Sequence, residues 1–254
     1  MANEVLTTVE DGVLIITINR PEAKNAVNLA VAEGIAAAID ELDSNNDLRI
    51  GVLKGADGTF CAGMDLKAFL NGENPVIDGR GFAGLVEAPP QKPLIGALQG
   101  FVLAGGLELS LACDLTVAAE SAMFGIPEVK RGLVAAGGGV IKLPRMMPRR
   151  FAMELALTGD PVPAQRAYEL GLVNRVVPDD QVMEETLKLA RTIVANGPLA
   201  VAASKQVIVE SEGWAPEDLF KKQYKIMGPV FVSEDAKEGP RAFAEKRAPN
   251  WQGK

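Results

Sequence analysis

The chain contains no histidine. That removes the side chain whose ordinary pKa sits nearest neutral pH. It also removes the base of Ser-His and Cys-His nucleophilic machinery. Cysteine is nearly absent too: Cys61 and Cys113 are too few for a disulfide framework. Without histidine a zinc site is excluded in practice, and no metal or separate cofactor is expected. Aromatic residues make up 5% of the chain, which supplies thinly any aromatic cage for a quaternary ammonium. Basic residues are outnumbered, giving a net charge of −7, so nucleic acid is a poor partner. The longest uncharged run, Pro93 to Leu107, covers roughly 15 residues and is broken by glycines, too short for a bilayer. Met1-Ala2-Asn3-Glu4-Val5 has an early acid and no basic-then-apolar pattern. A cytoplasmic enzyme with no membrane partner is the expectation. What is present is ordinary for a globular protein: 254 residues, 48% hydrophobic and 23% charged.

Val5 to Val9 and Val13 to Ile18 are β-branched runs around Asp11-Gly12, which predicts a hairpin. Asn28 is placed to cap a helix carrying Ala30, Ile35, Ala38, Ile39 and Leu42 at helical spacing. Arg49 to Leu53, Pro93 to Leu98 and Asp114 to Ala118 read as buried strands, and Leu107 to Cys113 as an apolar helix. Asn71 to Gly81 is polar and aperiodic, which predicts a mobile loop, with a helix over Phe82 to Val86 after it. From Pro148 the pattern is nearly continuous helix, broken by Val173 to Val177. Strands alternating with helices predict an α/β core over 1–195 and a helical region over 196–254.

With histidine missing, acid–base chemistry falls to carboxylates, with Lys, Tyr and Cys behind them. Two glutamates stand in glycine-marked turns: Glu108 in Gly100 to Leu109, and Glu128 in Phe124-Gly125-Ile126-Pro127-Glu128. Glu108 is surrounded in sequence by Leu107, Leu109, Leu111 and Ala112, which predicts poor solvation and a raised pKa. A glutamate in the first turn of a helix also suits the helix dipole, so a structural role stands beside the catalytic one. A glycine turn opening a helix leaves amide N–H groups free for an anion or a developing oxyanion. Gly105-Gly106 fits, as does Ala62-Gly63-Met64-Asp65-Leu66, where Asp65 can cap a helix over Leu66 to Leu70. Tight helix–strand packing is the alternative use of the same glycines.

Together these segments resemble the crotonase (enoyl-CoA hydratase/isomerase) family. The resemblance is carried by Phe60-Cys61-Ala62-Gly63-Met64-Asp65-Leu66, Gly100 to Leu109, Phe124 to Glu128 and Leu157-Thr158-Gly159, in order. Asn19-Arg20-Pro21 with Asn25-Ala26, Ala164 to Ala167 with Gly171-Leu172-Val173, and Phe243 to Arg247 extend it over nearly the whole chain. It implies a spiral of β-β-α turns with a helical C-terminal trimerisation region, and assembly as a homotrimer or a dimer of trimers. It implies an acyl-CoA thioester as substrate, with coenzyme A part of that substrate. By motif, the Met64 and Gly105 amides would form the oxyanion hole. Ala23, Lys24, Ala26, Ala62, Gly63, Asp65 and Leu66 would lie along the CoA. Phe243 and Lys246 would reach it, across a subunit boundary. Having both Glu108 and Glu128 implies hydration of a trans-2-enoyl-CoA, with Glu108 holding and activating water and Glu128 protonating C2.

Two departures bear on the pocket. Ala104 stands where the family has glycine, so a dihedral compatible with alanine is expected there. Ala135 replaces a common proline. Finer similarity to the carnitinyl-CoA dehydratase (crotonobetainyl-CoA hydratase) branch lies in Asp65 to Ala68, Gly81 to Leu85, Ser233 to Ala236 and Glu238 to Pro240. Alternatives are therefore that dehydration, an enoyl-CoA isomerisation, a silent acyl-CoA binder, or an RNA-binding hydratase, for which no lysine-rich helix stands out. The expected wall of the acyl pocket is Phe82, Leu85 and Val86, unless they pack on the core instead. The sequence leaves chain length and branching of the acyl group open.

Overall fold

In this computed structural model the structure describes residues 4–254. The leader reading on Met1 to Asn3 lies outside them. The chain opens with β1 (Val5–Glu10) and β2 (Val13–Ile18), paired antiparallel. Asp11 and Gly12 both take positive φ, 48° and 79°, the backbone that a two-residue hairpin requires. Helix α1 (Leu29–Ser44) follows, its first turn closed by the Asn28 side chain accepting from the Val31 N–H at 3.0 Å. Val31, Ile35, Ile39 and Leu42 recur at helical spacing and are buried. Strand β3 (Ile50–Gly55) lies parallel to β2, and α2 (Leu66–Leu70) starts on the Asp65 cap.

The stretch after α2 is more ordered than its polarity predicts. Val76–Ile77 (β4) pairs antiparallel with Gly81–Phe82 (β5). The expected helix over Phe82 to Val86 is absent. Ala83 and Gly84 take φ of 55° and 66°, left-handed values that a right-handed helix cannot contain. Leu85 and Val86 are buried in the core, so only Phe82 of the three faces a cleft.

Strands β6 (Leu94–Leu98) and β7 (Phe101–Leu103) lead into α3 (Gly105–Ser110), which starts and stops earlier than the apolar run indicated. Then come β8 (Leu115–Ala119), β9 (Met123–Gly125) and a short 3-10 turn, Pro127–Arg131. Helices α4 (Gly139–Met146) and α5 (Arg149–Thr158), the two-residue β10 (Val162–Pro163), α6 (Ala164–Glu169), β11 (Arg175–Val177) and α7 (Val182–Val194) complete this part. Past residue 195 the labelled elements are helices: α8 (Pro198–Ser211), α9 (Leu219–Phe231) and α10 (Glu234–Ala244).

The main sheet runs β1-β2-β3-β6-β8-β11, parallel except for its first pair. Strands covered on both faces need continuous apolar runs, and β6 is buried at every position. A second sheet, β10-β9-β7, stands beside it. The chain thus passes from one sheet into the other at each turn of a β-β-α spiral. No single helix among the described residues is long and apolar enough to cross a membrane.

Candidate active site

The junction of the two sheets builds the site. Cys61 bridges Val102: its N–H donates to Phe101 O at 2.9 Å, and its carbonyl accepts from Leu103 N–H at 3.1 Å. This lays the segment before α2 alongside the segment before α3. The fit allows no side chain at three points. A Cβ on Gly106 would lie 2.1 Å from Cys61 O, one on Gly105 would lie 2.5 Å from the Phe82 ring, and one on Gly63 would meet Ala104 Cβ at 2.6 Å. Here the glycines serve close approach and leave free amides as well.

Gly63 spends its N–H on Cys61 Sγ at 3.3 Å and its carbonyl on Val27 N–H at 2.8 Å, and Asp65 N–H donates to Val27 O at 2.9 Å. The Met64 amide between them is left out of that pairing. Gly105 is the first residue of α3, where an amide has no intrahelical acceptor. A Cβ on Gly63 would sit 3.2 Å from the Gly105 nitrogen, so the two amides are neighbours, and both residues line one cleft.

Ala104 departs from expectation. Its φ of 52° and ψ of −127° lie in a region that suits glycine and strains alanine. Three backbone bonds pin it there: its N–H to Gly125 O at 2.9 Å, and its carbonyl to the N–H groups of Leu107 and Glu108 at 2.9 and 3.2 Å.

The cleft has a volume of about 600 Å³. It receives both glutamates. Glu108 projects from the first turn of α3 and is 3% exposed. Its Oε1 accepts from the Gly139 N–H at 2.9 Å. A Cβ on Gly137 would lie 2.6 Å from its Oε2, so the glycine run Gly137 to Gly139 wraps the carboxylate. Burial pushes Glu108 up from 4.5 to about 7; the Gly139 amide opposes this, and the Glu128 charge adds to it. Glu128, on the 3-10 turn, is also raised by burial, against its own backbone N–H and Arg131. Its Oε2 is buried with no hydrogen-bond partner among the described residues.

The N-terminal turn closes the other side. Lys24, Ala62 and Leu66 line the cleft, and Ala62 N–H donates to Lys24 O at 3.1 Å. Asn25, fully buried, holds the turn by donating to Ala56 O and Thr59 O. Arg20 donates to Ala26 O and to Asp65 Oδ2. The Asp65 carboxylate is therefore engaged. Burial opposes its ionisation, but the Ala68 amide, Arg20 and the Lys67 amide hold it below the usual range. Asp65 and Ala26 brace the turn from outside the cleft lining, as do Ala23 and Gly63. Phe243 lies in the last turn of α10 and Lys246 just past its end; neither lines the cleft, and Phe243 is 87% exposed.

Four lining residues had no signal in the sequence reading: Phe69, Phe101, Glu87 and Arg131; they join Phe82, the one residue of the expected acyl wall that lines the cleft. Three of the scarce aromatics thus gather in one place, which composition alone hides. Cys61, pushed up to about 12 by burial, and Cys113 are buried free thiols.

The chain is similar to known proteins along nearly its whole length. Residues 8–254 match the family described as enoyl-CoA hydratase/isomerase. The chain is 44% identical to enoyl-CoA hydratase EchA19 of Mycobacterium tuberculosis over 95% of this chain and 93% of that one. It is 38% identical to the carnitinyl-CoA dehydratase of Salmonella typhi, covering all of both. The crystal structure of an enoyl-CoA hydratase from Mycobacterium tuberculosis superposes with a TM-score of 0.97 at 58% identity, over 99% of this chain and all of that one.

Proposed function

Because the chain belongs to the enoyl-CoA hydratase/isomerase family, we infer that it is an enoyl-CoA hydratase, adding water across the C2=C3 bond of a trans-2-enoyl-CoA. The observation that carries this is one cleft lined by Glu108, Glu128, Met64 and Gly105. Two carboxylates and two neighbouring amides are what the reaction needs.

Water attacks C3 while negative charge gathers on the thioester oxygen. The Met64 and Gly105 amides receive that charge, each lowering the barrier by roughly 3–4 kcal/mol. Glu108 takes the proton of the attacking water, and Glu128 gives a proton to C2. The hydrogen bonding supports this division. An amide donated to Glu108 favours its anion, whereas an unpartnered oxygen on Glu128 favours its neutral acid. A proton on Glu128 also removes one cause of the raised Glu108 pKa. The ionisation of Glu108 is thus linked to the charge on Glu128. Fixing a single water between them gains further from avoided entropy.

Lys24, Ala62 and Leu66 support a CoA path along the N-terminal turn. Phe243 and Lys246 would join it from a neighbouring subunit of a trimer or a dimer of trimers. Exposed apolar residues on the last helices, Phe220, Tyr224 and Phe231 among them, support that assembly. The cytoplasm is the proposed location.

A second reading is carnitinyl-CoA dehydration, the reverse chemistry on a cationic acyl group. Glu87 beside Phe82 in the cleft favours it, since a carboxylate and an aromatic ring suit a trimethylammonium group. Hydration rates across enoyl-CoAs from crotonyl to long-chain, with crotonobetainyl-CoA included, decide between them. The highest kcat/KM is expected on an uncharged enoyl-CoA; crotonobetainyl-CoA at the top would install the second reading. Glu108→Gln and Glu128→Gln should each lower the rate by roughly 10² or more with thioester binding retained. Near wild-type turnover in Glu128→Gln would remove its assigned role.

A further inference from the structure

Phe69, Val76, Leu133 and Val134 line the cleft, yet they are between 37% and 67% exposed. Apolar residues exposed singly need no explanation, but several within one cleft mark a surface that a ligand covers. They stand around the place where the acyl group begins. A Cβ on Gly105 would lie 2.5 Å from the Phe82 ring, so that ring lies against the amide proposed for the thioester oxygen. Val76 is the cross-strand partner of Phe82 in the β4–β5 pair, which sets both side chains on one face. The Ala83 N–H closes this hairpin on Pro75 O at 2.9 Å. Phe69 sits on α2, just past the Leu66 of the CoA path, and no residue of α2 is buried. Leu133 and Val134 stand on the other wall, in the segment that leads into the glycine run around Glu108. Helix α4, which continues that segment, reaches the hairpin wall through Lys142 Nζ, which donates to Val86 O at 3.3 Å. The two walls therefore flank one channel beside the two carboxylates.

We propose that the acyl group of the substrate is a long, uncharged hydrocarbon chain, which starts beside Phe82 and runs between Val76 with Phe69 on one side and Leu133 with Val134 on the other. The inference rests on the acyl-CoA site of the proposed hydratase and names its substrate class. A crotonyl group ends one methyl past the reacting double bond and leaves both walls in water. A chain longer by several methylenes covers them, and apolar surface leaves water on both sides of the contact. Each methylene so buried improves affinity by about fourfold. A charge on the chain would find no buried partner. Lys24, Glu87 and Arg131, the charged lining residues outside the proposed reaction, are all exposed.

The test uses the full-length protein and two series of thioesters. Binding of butyryl-, octanoyl- and dodecanoyl-CoA, which have no double bond to hydrate, is measured by titration calorimetry. Hydration of crotonyl-, octenoyl- and dodecenoyl-CoA gives kcat/KM. From butyryl to dodecanoyl the Kd should fall by about 10²-fold or more, with a heat capacity of binding that grows more negative, and kcat/KM should rise in step. Val76→Asp and Val134→Asp change exposed positions. Each should remove about tenfold or more of that gain, with the assembly seen by light scattering as in the wild type. Chain lengths are compared within one variant, so an effect on the chemistry itself cancels. A Kd that does not fall with chain length, or hydration fastest on crotonyl-CoA, would overturn the proposal. So would aspartate variants that keep the full gain. Loss of the wild-type assembly in either variant would assign the strip to a neighbouring subunit and overturn it too. A protein that binds dodecanoyl-CoA tightly and hydrates no enoyl-CoA would leave the chain site standing and count against the hydratase reading alone.

Discussion

Replacing Glu108, the proposed base, by glutamine should make this protein more stable, and only above a certain pH. The carboxyl is 3% exposed and its pKa is raised from 4.5 to about 7, first by burial and then, net of the Gly139 amide, by Glu128. A raised folded-state pKa has a definite sign. Below pH 4.5 the acid is neutral in both folded and unfolded chains, and it contributes no difference. Between pH 4.5 and about 7 the unfolded chain ionises while the folded one does not, so the unfolded state gains and stability falls as pH rises. Above 7 both are ionised, and the folded state bears the full cost of a buried charge. That interval at 1.36 kcal/mol per pH unit amounts to about 3 kcal/mol.

Glu108→Gln keeps the shape and the acceptor facing the Gly139 N–H, but it has no charge to bury. Its amide protons find no dedicated acceptor, which subtracts a constant amount at every pH. The pH dependence is therefore the clean readout. Thermal melts of the two proteins at one protein concentration should nearly coincide in their pH response below 4.5. The variant should then gain steadily, by about 3 kcal/mol at pH 8. At roughly 2–4 °C per kcal/mol for a chain of this size, the gap in Tm should open by some 6–12 °C. A gap that stays constant from pH 4.5 to 8 would refute the raised pKa and the account of the site built on it.

Three further outcomes are expected. Ala104→Gly should raise stability by about 1 kcal/mol, because relief of a strained positive φ outweighs the backbone entropy of glycine; a drop of that size in a thermal melt would show that Ala104 is unstrained. Gly137→Ala puts a Cβ 2.6 Å from the Glu108 carboxylate, and displacing that group should cut kcat by roughly 10² while KM changes little; unchanged kcat would mean the carboxylate yields without consequence. Light scattering at micromolar concentration should find a trimer or a dimer of trimers, and a stable monomer of 26.8 kDa would end the proposal that Phe243 and Lys246 serve a neighbouring subunit.

Local signals carried much of the fold. The Asp11-Gly12 turn, the Asn28 and Asp65 caps, and the buried parallel strands depend on residues close in the chain. Each of these appears with boundaries within a few residues of expectation. The failures share a cause. Phe82 to Val86 has helical spacing, but Ala83 and Gly84 adopt left-handed backbone because Gly84 packs against Ala32 and Ala36 of α1, where a Cβ would lie 2.6 Å from a backbone oxygen. Nothing within five residues records that approach. The two-residue β10 likewise exists only because β9 is there to pair with it.

The site divides along the same line. The residues proposed to carry its chemistry could be picked out because missing histidine leaves few carriers and glycine turns mark where backbone amides come free. Its tuning was not legible, because it comes from segments distant in sequence. Glu108 is held by Gly139, thirty-one positions on, and the lone oxygen of Glu128 is a fact of packing alone. Ala104 shows why a single substitution cannot be read in isolation. Alanine there implied a relaxed dihedral, yet the three backbone bonds around it dictate the geometry that sets the Gly105 amide beside Met64. The strain is tolerated because relaxing it would break those bonds and move the amide proposed to bind the oxyanion. At Ala104, next to the amide proposed to face the reacting oxygen, backbone geometry outranks local preference.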